Sequence, residues 1–289
     1  MSYQDWRRRL QEVVDDGLRE HRAAQVIAAL SAEVARAGRG SKAVATSGPP
    51  APATAEPQLV VPAPVLGVDA SAGGWVGVLL RPDAPLRVLT AETIASLVEL
   101  ARESSEVVVV AVDMPIGLPD SGRRQADVLA RQALPGKGSS VFTTLTRATY
   151  AAETYAEARE VSLATSGAGA PAQAYRLREK LLQVDDWVRG RPAVRVVEVH
   201  PELCFAEIAG APLLTKKREP EGAASRRGAL AAVGLVAPPF YAGSGFAEDD
   251  LLDACAAAWS AARVVAGTAR SLPDEPERFS DGIPAAIWV

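Results

Sequence analysis

The sequence predicts an α/β fold: one mixed sheet with helices on both faces. Three observations lead there. Short apolar runs follow one another at 65–69, 75–80 and 86–89, close enough to form a meander. The run Val107 to Val112 is wholly apolar and almost all valine, the mark of a central strand covered on both sides. Beyond it, helical periodicities alternate with one further strand, and such alternation builds layered α/β domains.

Each element has its own reason. Val65-Leu66-Gly67-Val68-Asp69 is a buried strand ending in an acid, and Gly73-Gly74 is a tight turn into Trp75–Leu80. Leu86–Leu89 makes a third strand. Thr93 to Glu103 repeats Ile94, Leu97, Val98 and Ala101 at helical spacing. Residues 122–134, 146–164 and 171–189 read as helices separated by Gly- and Ser-rich breaks. Val194–Val199 is a strand ending at His200-Pro201-Glu202, and 249–266 is a strongly apolar helix. A meander followed by alternating helices and strands is the RNase H-like order, here with a helical insertion before the last core strand. That block is expected over the carboxylate end of the sheet, as a lid restricting access to a single strand, a flap or a small nucleotide.

The flanks differ in character. Residues 1–37 show helical spacing through Trp6, Leu10, Val13 and Val14, then Val26, Ile27, Leu30 and Val34, so an N-terminal helical arm is expected. Residues 38–64 turn to Gly, Ser, Ala, Thr and Pro and read as a flexible linker. The main domain is then 65–289. The arm would pack on the domain, on a second copy or on a partner.

The chain has 289 residues, 48% hydrophobic and 23% charged, which is enough for a sizeable core. A net charge of −4 argues against a protein that coats nucleic acid non-specifically, since that needs many phosphate-neutralising Lys and Arg. A local basic channel is compatible with it. Cys204 and Cys255 sit in apolar surroundings and read as buried thiols. No secretory leader or membrane span is read from the sequence, so a cytoplasmic protein is expected.

The chemistry sits in the acids. Asp69 ends the first strand, and Asp113 ends the apolar strand that would pair beside it. Asp250 and Asp253 lie three apart on the last helix and share a face, with Asp249 competing for the place of Asp250. Such carboxylates suit Mg²⁺ or Mn²⁺, hard ions that take oxygen ligands. Two such ions roughly 4 Å apart activate a water and stabilise the leaving oxygen of a phosphodiester. Against this stands the ordinary role of acids: capping turns and complementing a helix N-terminus. Asp253, a turn inside an apolar helix, is hardest to explain that way, because a buried acid needs a partner or a metal.

These residues also carry a resemblance. Gly67-Val68-Asp69 with Gly74-Trp75, and Asp113-Met114-Pro115-Ile116-Gly117-Leu118-Pro119, resemble a bacterial and archaeal family, domain of unknown function 429. The likeness continues through Arg124, Asp127 and Arg131, Ser139-Ser140-Val141-Phe142, Glu198-Val199-His200-Pro201-Glu202 and Lys216-Lys217 with Gly222 and Arg226. It ends at Asp249-Asp250-Leu251-Leu252-Asp253-Ala254 and Ala286-Ile287-Trp288-Val289. The resemblance implies an RNase H fold and a predicted nuclease. The helix acids also resemble the paired aspartates of RuvC-type resolvases, which by position implies Asp69, Asp113, Asp250 and Asp253 as ligands. Those enzymes usually carry Glu where this chain has Asp113, and the shorter side chain would bring the ion closer to the strand.

Supporting residues complete the expectation. His200 is a candidate general acid or base, and Glu202 a further ligand or a group that fixes His200. If the strand ran unbroken, Glu198 would share their face. Arg124, Arg131, Ser140, Arg147, Lys216, Lys217 and Arg226 are candidate phosphate contacts. The function expected is a Mg²⁺- or Mn²⁺-dependent phosphodiester hydrolase acting on nucleic acid or nucleotide. Two other readings stand beside it: a nucleotide-binding phosphotransferase of related fold, which normally duplicates the domain, and a non-catalytic module that binds nucleic acid or protein.

Overall fold

A computed structural model describes residues 58–289. The expected helical arm at 1–37 and most of the 38–64 linker lie outside the described residues. Of the linker's end, Leu59 and Val61 pack against the domain core.

Strands β1 (Val65–Ser71), β2 (Gly74–Arg81) and β3 (Ala84–Ala91) form the expected meander, with Ser71 opposite Gly74 at the first turn. Helix α1 (Ile94–Arg102) follows, its N-terminus capped by the Thr93 hydroxyl accepting from the Ser96 N–H. Strand β4 (Val109–Val112) pairs parallel with β1, and β5 (Arg195–Val199) pairs parallel with β4. Between them lie α2 (Gln125–Ala133), a short 3₁₀ turn at Gly138–Ser140, α3 (Arg147–Ala151), α4 (Tyr155–Ser166), α5 (Ala172–Arg176) and α6 (Arg178–Arg189). After β5 come α7 (Pro201–Ala209), α8 (Pro220–Ala232) and α9 (Glu248–Ala266). Strands β6 (Ser271–Arg278) and β7 (Pro284–Trp288) close the chain.

The seven strands form one mixed sheet in the order β3-β2-β1-β4-β5-β7-β6. This is the expected α/β class, consistent with an RNase H-like arrangement. The described residues hold a single sheet. No helix among them is long and apolar enough to cross a membrane.

The sheet carries apolar side chains on both faces, because alternate residues of each strand point oppositely. Val65 of β1 and Val109 and Ala111 of β4 join α7, α8 and α9 on one face. Leu66, Val68, Val110 and Val112 join α1 and α6 on the other. By the same alternation Gly67 and Asp69 turn toward α9, as does Asp113.

Helix α9 crosses β1 at close range. A Cβ added to Gly67 would lie 2.0 Å from the Ala258 nitrogen and 2.4 Å from the Ala254 oxygen. Only glycine on the strand, facing small residues on the helix, allows that approach. This contact delivers the helix acids to the end of β1.

Three features depart from the sequence expectation. Strands β6 and β7 were not anticipated, and β7 inserts between β5 and β6. The unbroken-strand condition for Glu198 fails, since β5 stops at Val199 and α7 begins at Pro201. Helices α7 and α8 were also unforeseen. The helical block reaches the end of the sheet as expected, but α6 also packs on the sheet face opposite α9.

A candidate metal centre at the end of the sheet

The local folding of β1, β4 and α9 fixes the centre. The β1–β4 ladder continues one residue past β4, where the Asp113 N–H donates to the Val68 carbonyl at 3.0 Å. Asp69 and Asp113 therefore leave adjacent strands side by side. Asp253, next to Ala254 at the Gly67 contact, arrives from above. Each of the three offers a carboxylate oxygen, and these oxygens lie within 4.8 Å of one another.

Three like charges so close are unfavourable in a low-dielectric setting. Burial pushes the Asp69 carboxyl well above its usual pKa, and Asp113 and Asp253 push it further. Burial raises Asp113 to about 6 against the opposing effect of Lys217, with Glu202 adding to the rise. Burial raises Asp253 to about 6, again opposed by Lys217. No hydrogen bond steadies the Asp113 carboxylate among the described residues. A compact set of hard oxygens with too little positive charge around it is the donor chemistry that a divalent cation satisfies.

Lys217 is the cation nearest the cluster. Its Nζ lies 2.7 Å from Asp253 Oδ2 and 3.7 Å from Asp249 Oδ2. Burial disfavours its ammonium, but Asp253, Asp69 and Asp113 hold its pKa above the usual lysine value. Asp249 also meets Arg218 Nε at 3.3 Å. Asp250 stands outside the three-carboxylate cluster. Its Oδ2 reaches back to the Ala247 N–H at 2.9 Å, so its local bond is a helix cap.

The sequence-nominated basic residues divide sharply. Arg124 is fully buried, and all of its donors are engaged. It forks onto Glu198 at 2.7 and 2.8 Å, meets Asp127 at 2.7 Å and donates to the Ile116 carbonyl at 2.9 Å. Glu198 in turn accepts from the Ile116 N–H, and Asp127 from the Thr144 N–H. The triad thus ties the loop after β4 to the loop after the 3₁₀ turn, and its three residues line the cavity.

Arg131 donates to the Val141 carbonyl and the Thr143 hydroxyl. Arg147 is paired with Asp185 and Asp281. Arg226 is buried against Glu202 at 2.6 Å. Lys216 is exposed beside Glu219. The structure therefore assigns internal partners to residues expected as phosphate contacts. The physical reason is that a buried guanidinium must be paired inside the protein. Of that set, Lys217 and Ser140 line the cavity along with the structurally committed Arg124.

The cavity itself holds about 550 Å³. Asp69, Asp113 and Asp253 line it, as do Val141, Phe142, Tyr150 and Leu177. His200 and Glu202 also line it. His200 is the N-cap residue of α7, and Glu202 lies in the first turn of that helix. His200 Nε2 meets the Ser140 carbonyl at 3.3 Å. Lys137 Nζ stands 3.7 Å from Glu202 Oε1. The two cysteines are buried and free, as expected.

A family model described as "Protein of unknown function (DUF429)" matches residues 67–278, most of the chain. No curated protein and no solved structure matches the chain.

Proposed function

For a chain that belongs to the DUF429 family, whose description states no activity, we propose a divalent-metal-dependent phosphodiester hydrolase acting on a nucleic acid or nucleotide. One observation carries the reading: three aspartate carboxylates within 4.8 Å of one another at the end of a mixed sheet, facing a cavity. Asp69, Asp113 and Asp253 would hold Mg²⁺ or Mn²⁺. A cation there would activate a water and neutralise charge on the phosphate.

The protein's own part is positional. Burial of the acids excludes competing water, and the Gly67–α9 contact fixes their spacing. Lys217 holds Asp253 in place and brings a positive charge to the side where a phosphate oxygen would sit. In the reaction, water adds to phosphorus and the P–O bond to the alcohol breaks. The water supplies one proton to the leaving oxygen, and a monoester and an alcohol result.

The test is cleavage of single-stranded, duplex and branched DNA and RNA, and of dinucleotides, in Mg²⁺ or Mn²⁺. Thermal shift on adding metal is measured beside it. Hydrolysis and a metal-induced shift that both vanish in Asp69→Asn support the reading. Equal hydrolysis by Asp69→Asn, or no response to metal, would contradict it.

A further inference from the structure

The pairing of Lys217 bears on how many metal ions the carboxylates take; this inference rests on the metal reading of the centre. Two-ion phosphodiesterases hold their cations about 4 Å apart, which demands free carboxylate oxygens on both sides of a shared ligand. The acids that flank Asp69, Asp113 and Asp253 are already engaged. Asp249 Oδ2 faces Lys217 Nζ at 3.7 Å and Arg218 Nε at 3.3 Å. Asp250 Oδ2 is turned back to the Ala247 N–H. Glu202 Oε1 is paired with Arg226 at 2.6 Å. Within the three, Asp69 Oδ1 accepts from the Ala70 N–H at 2.8 Å, and Asp253 Oδ2 from Lys217 Nζ at 2.7 Å.

The ammonium therefore lies between Asp253 and Asp249, where a second ion would find its carboxylates. Its place is built by the backbone. The Lys216 carbonyl accepts from the Glu219 N–H, and the Thr215 carbonyl from Lys137 Nζ. Gly222, in the first turn of α8, presses on the same segment: a Cβ there would lie 1.9 Å from the Lys216 oxygen and 3.2 Å from the Lys217 Cα. The Lys217 side chain is 39% exposed, so water is within its reach, yet its charge is directed at the acids.

Charge balance agrees. Three ionised aspartates carry three negative charges. Lys217 offsets one, and one divalent ion offsets the other two. A second divalent ion would leave a buried site strongly positive, with Asp249 already committed to Lys217 and Arg218.

We infer that Lys217 fills the second-cation position, so that the centre takes a single divalent ion and the ammonium is its other positive charge. A lysine suits that place because its charge is compact and close to a point, unlike the planar fork of arginine.

The number of ions bound is the test. Mn²⁺ is titrated into the full chain at pH 7.5 by calorimetry, and the loaded protein is examined by electron paramagnetic resonance. Wild type takes one ion per chain and gives the spectrum of an isolated Mn²⁺. Lys217→Ala and Lys217→Gln, which both remove the charge, free Asp253 Oδ2 and Asp249; the stoichiometry doubles and the spectrum becomes that of a spin-coupled pair. Lys217→Arg keeps a cation there and stays at one ion. A coupled pair in wild type, or a single ion in every folded variant that lacks the charge, would overturn this inference and leave the metal centre standing. Wild-type protein that takes no ion would instead remove the metal centre, and this inference with it.

Discussion

Replacing Asp113 by Asn should stabilise the metal-free protein and at the same time abolish its stabilisation by metal. The folded-state pKa of Asp113 rises from the usual 3.8 to about 6, chiefly through burial. A group whose folded pKa is raised holds its proton more tightly in the folded state. Its ionisation therefore costs stability as pH climbs through the window from about 4 to about 6. Holding the proton that much more tightly corresponds to about 3 kcal/mol. Partial exposure and the counter-charge of Lys217 reduce the expectation to about 1–3 kcal/mol. The carboxylate accepts no hydrogen bond that Asn would lose. For a domain of this size that is a rise in Tm of about 2–10 °C. The assay is thermal unfolding in EDTA at pH 7.5 and pH 4.5, then at pH 7.5 with Mn²⁺. The variant should melt higher than wild type at pH 7.5, lose most of that advantage at pH 4.5, and ignore Mn²⁺. A variant that melts lower at pH 7.5, or whose advantage is the same at both pH values, would refute the electrostatic reasoning.

Other outcomes follow from the same geometry. Gly67→Ala drives a Cβ into the backbone of α9 at Ala254 and Ala258; calorimetry should show a loss of about 3 kcal/mol or more, together with a lost metal response, because α9 carries Asp253. Arg124→Lys cannot reproduce the fork between Glu198 and Asp127; denaturant melts should show a loss of about 3–5 kcal/mol, from two buried carboxylates left poorly paired. Asp250→Asn keeps an oxygen that can accept from the Ala247 N–H outside the cluster; it should change stability by no more than about 0.5 kcal/mol in the same melts and leave metal affinity within threefold in a calorimetric titration. Lys217→Met leaves Asp253 without its ammonium partner; metal-free Tm at pH 7.5 should fall by a few degrees and recover at pH 5, where Asp253 is mostly protonated.

Much of this was legible in the sequence where hydrophobicity and chain order decide. The buried β4 was plain from its valine run, and the meander from its spacing. Asp69, Asp113 and Asp253 could be nominated because strand ends and one helix face are set by simple periodicity. What was hidden depends on pairing across long separations. Nothing near Arg124 tells that Glu198, 74 residues on, will neutralise it. Counting arginines as a phosphate track therefore overestimated the free charge.

Strand β6 reads Ser-Leu-Pro-Asp-Glu-Pro-Glu-Arg, with two prolines and three acids, and only an edge position tolerates that. Helix α8 carries two glycines and weak amphipathicity, so it gives little helical signal. The role of Gly67 has a faint signature: a glycine inside a strand marks close approach of another backbone. Read together with the alanines of α9, it could have been paired with them.

The central claim is that Asp69, Asp113 and Asp253 form one divalent-cation site. Calorimetric titration of Mn²⁺ into the full chain at pH 7.5 tests it most directly, with Asp253→Asn and Asp250→Asn in parallel. The account predicts saturable binding to wild type, retained in Asp250→Asn and lost in Asp253→Asn. Binding that survives in Asp253→Asn, or its absence from wild-type protein at millimolar Mn²⁺, would contradict it.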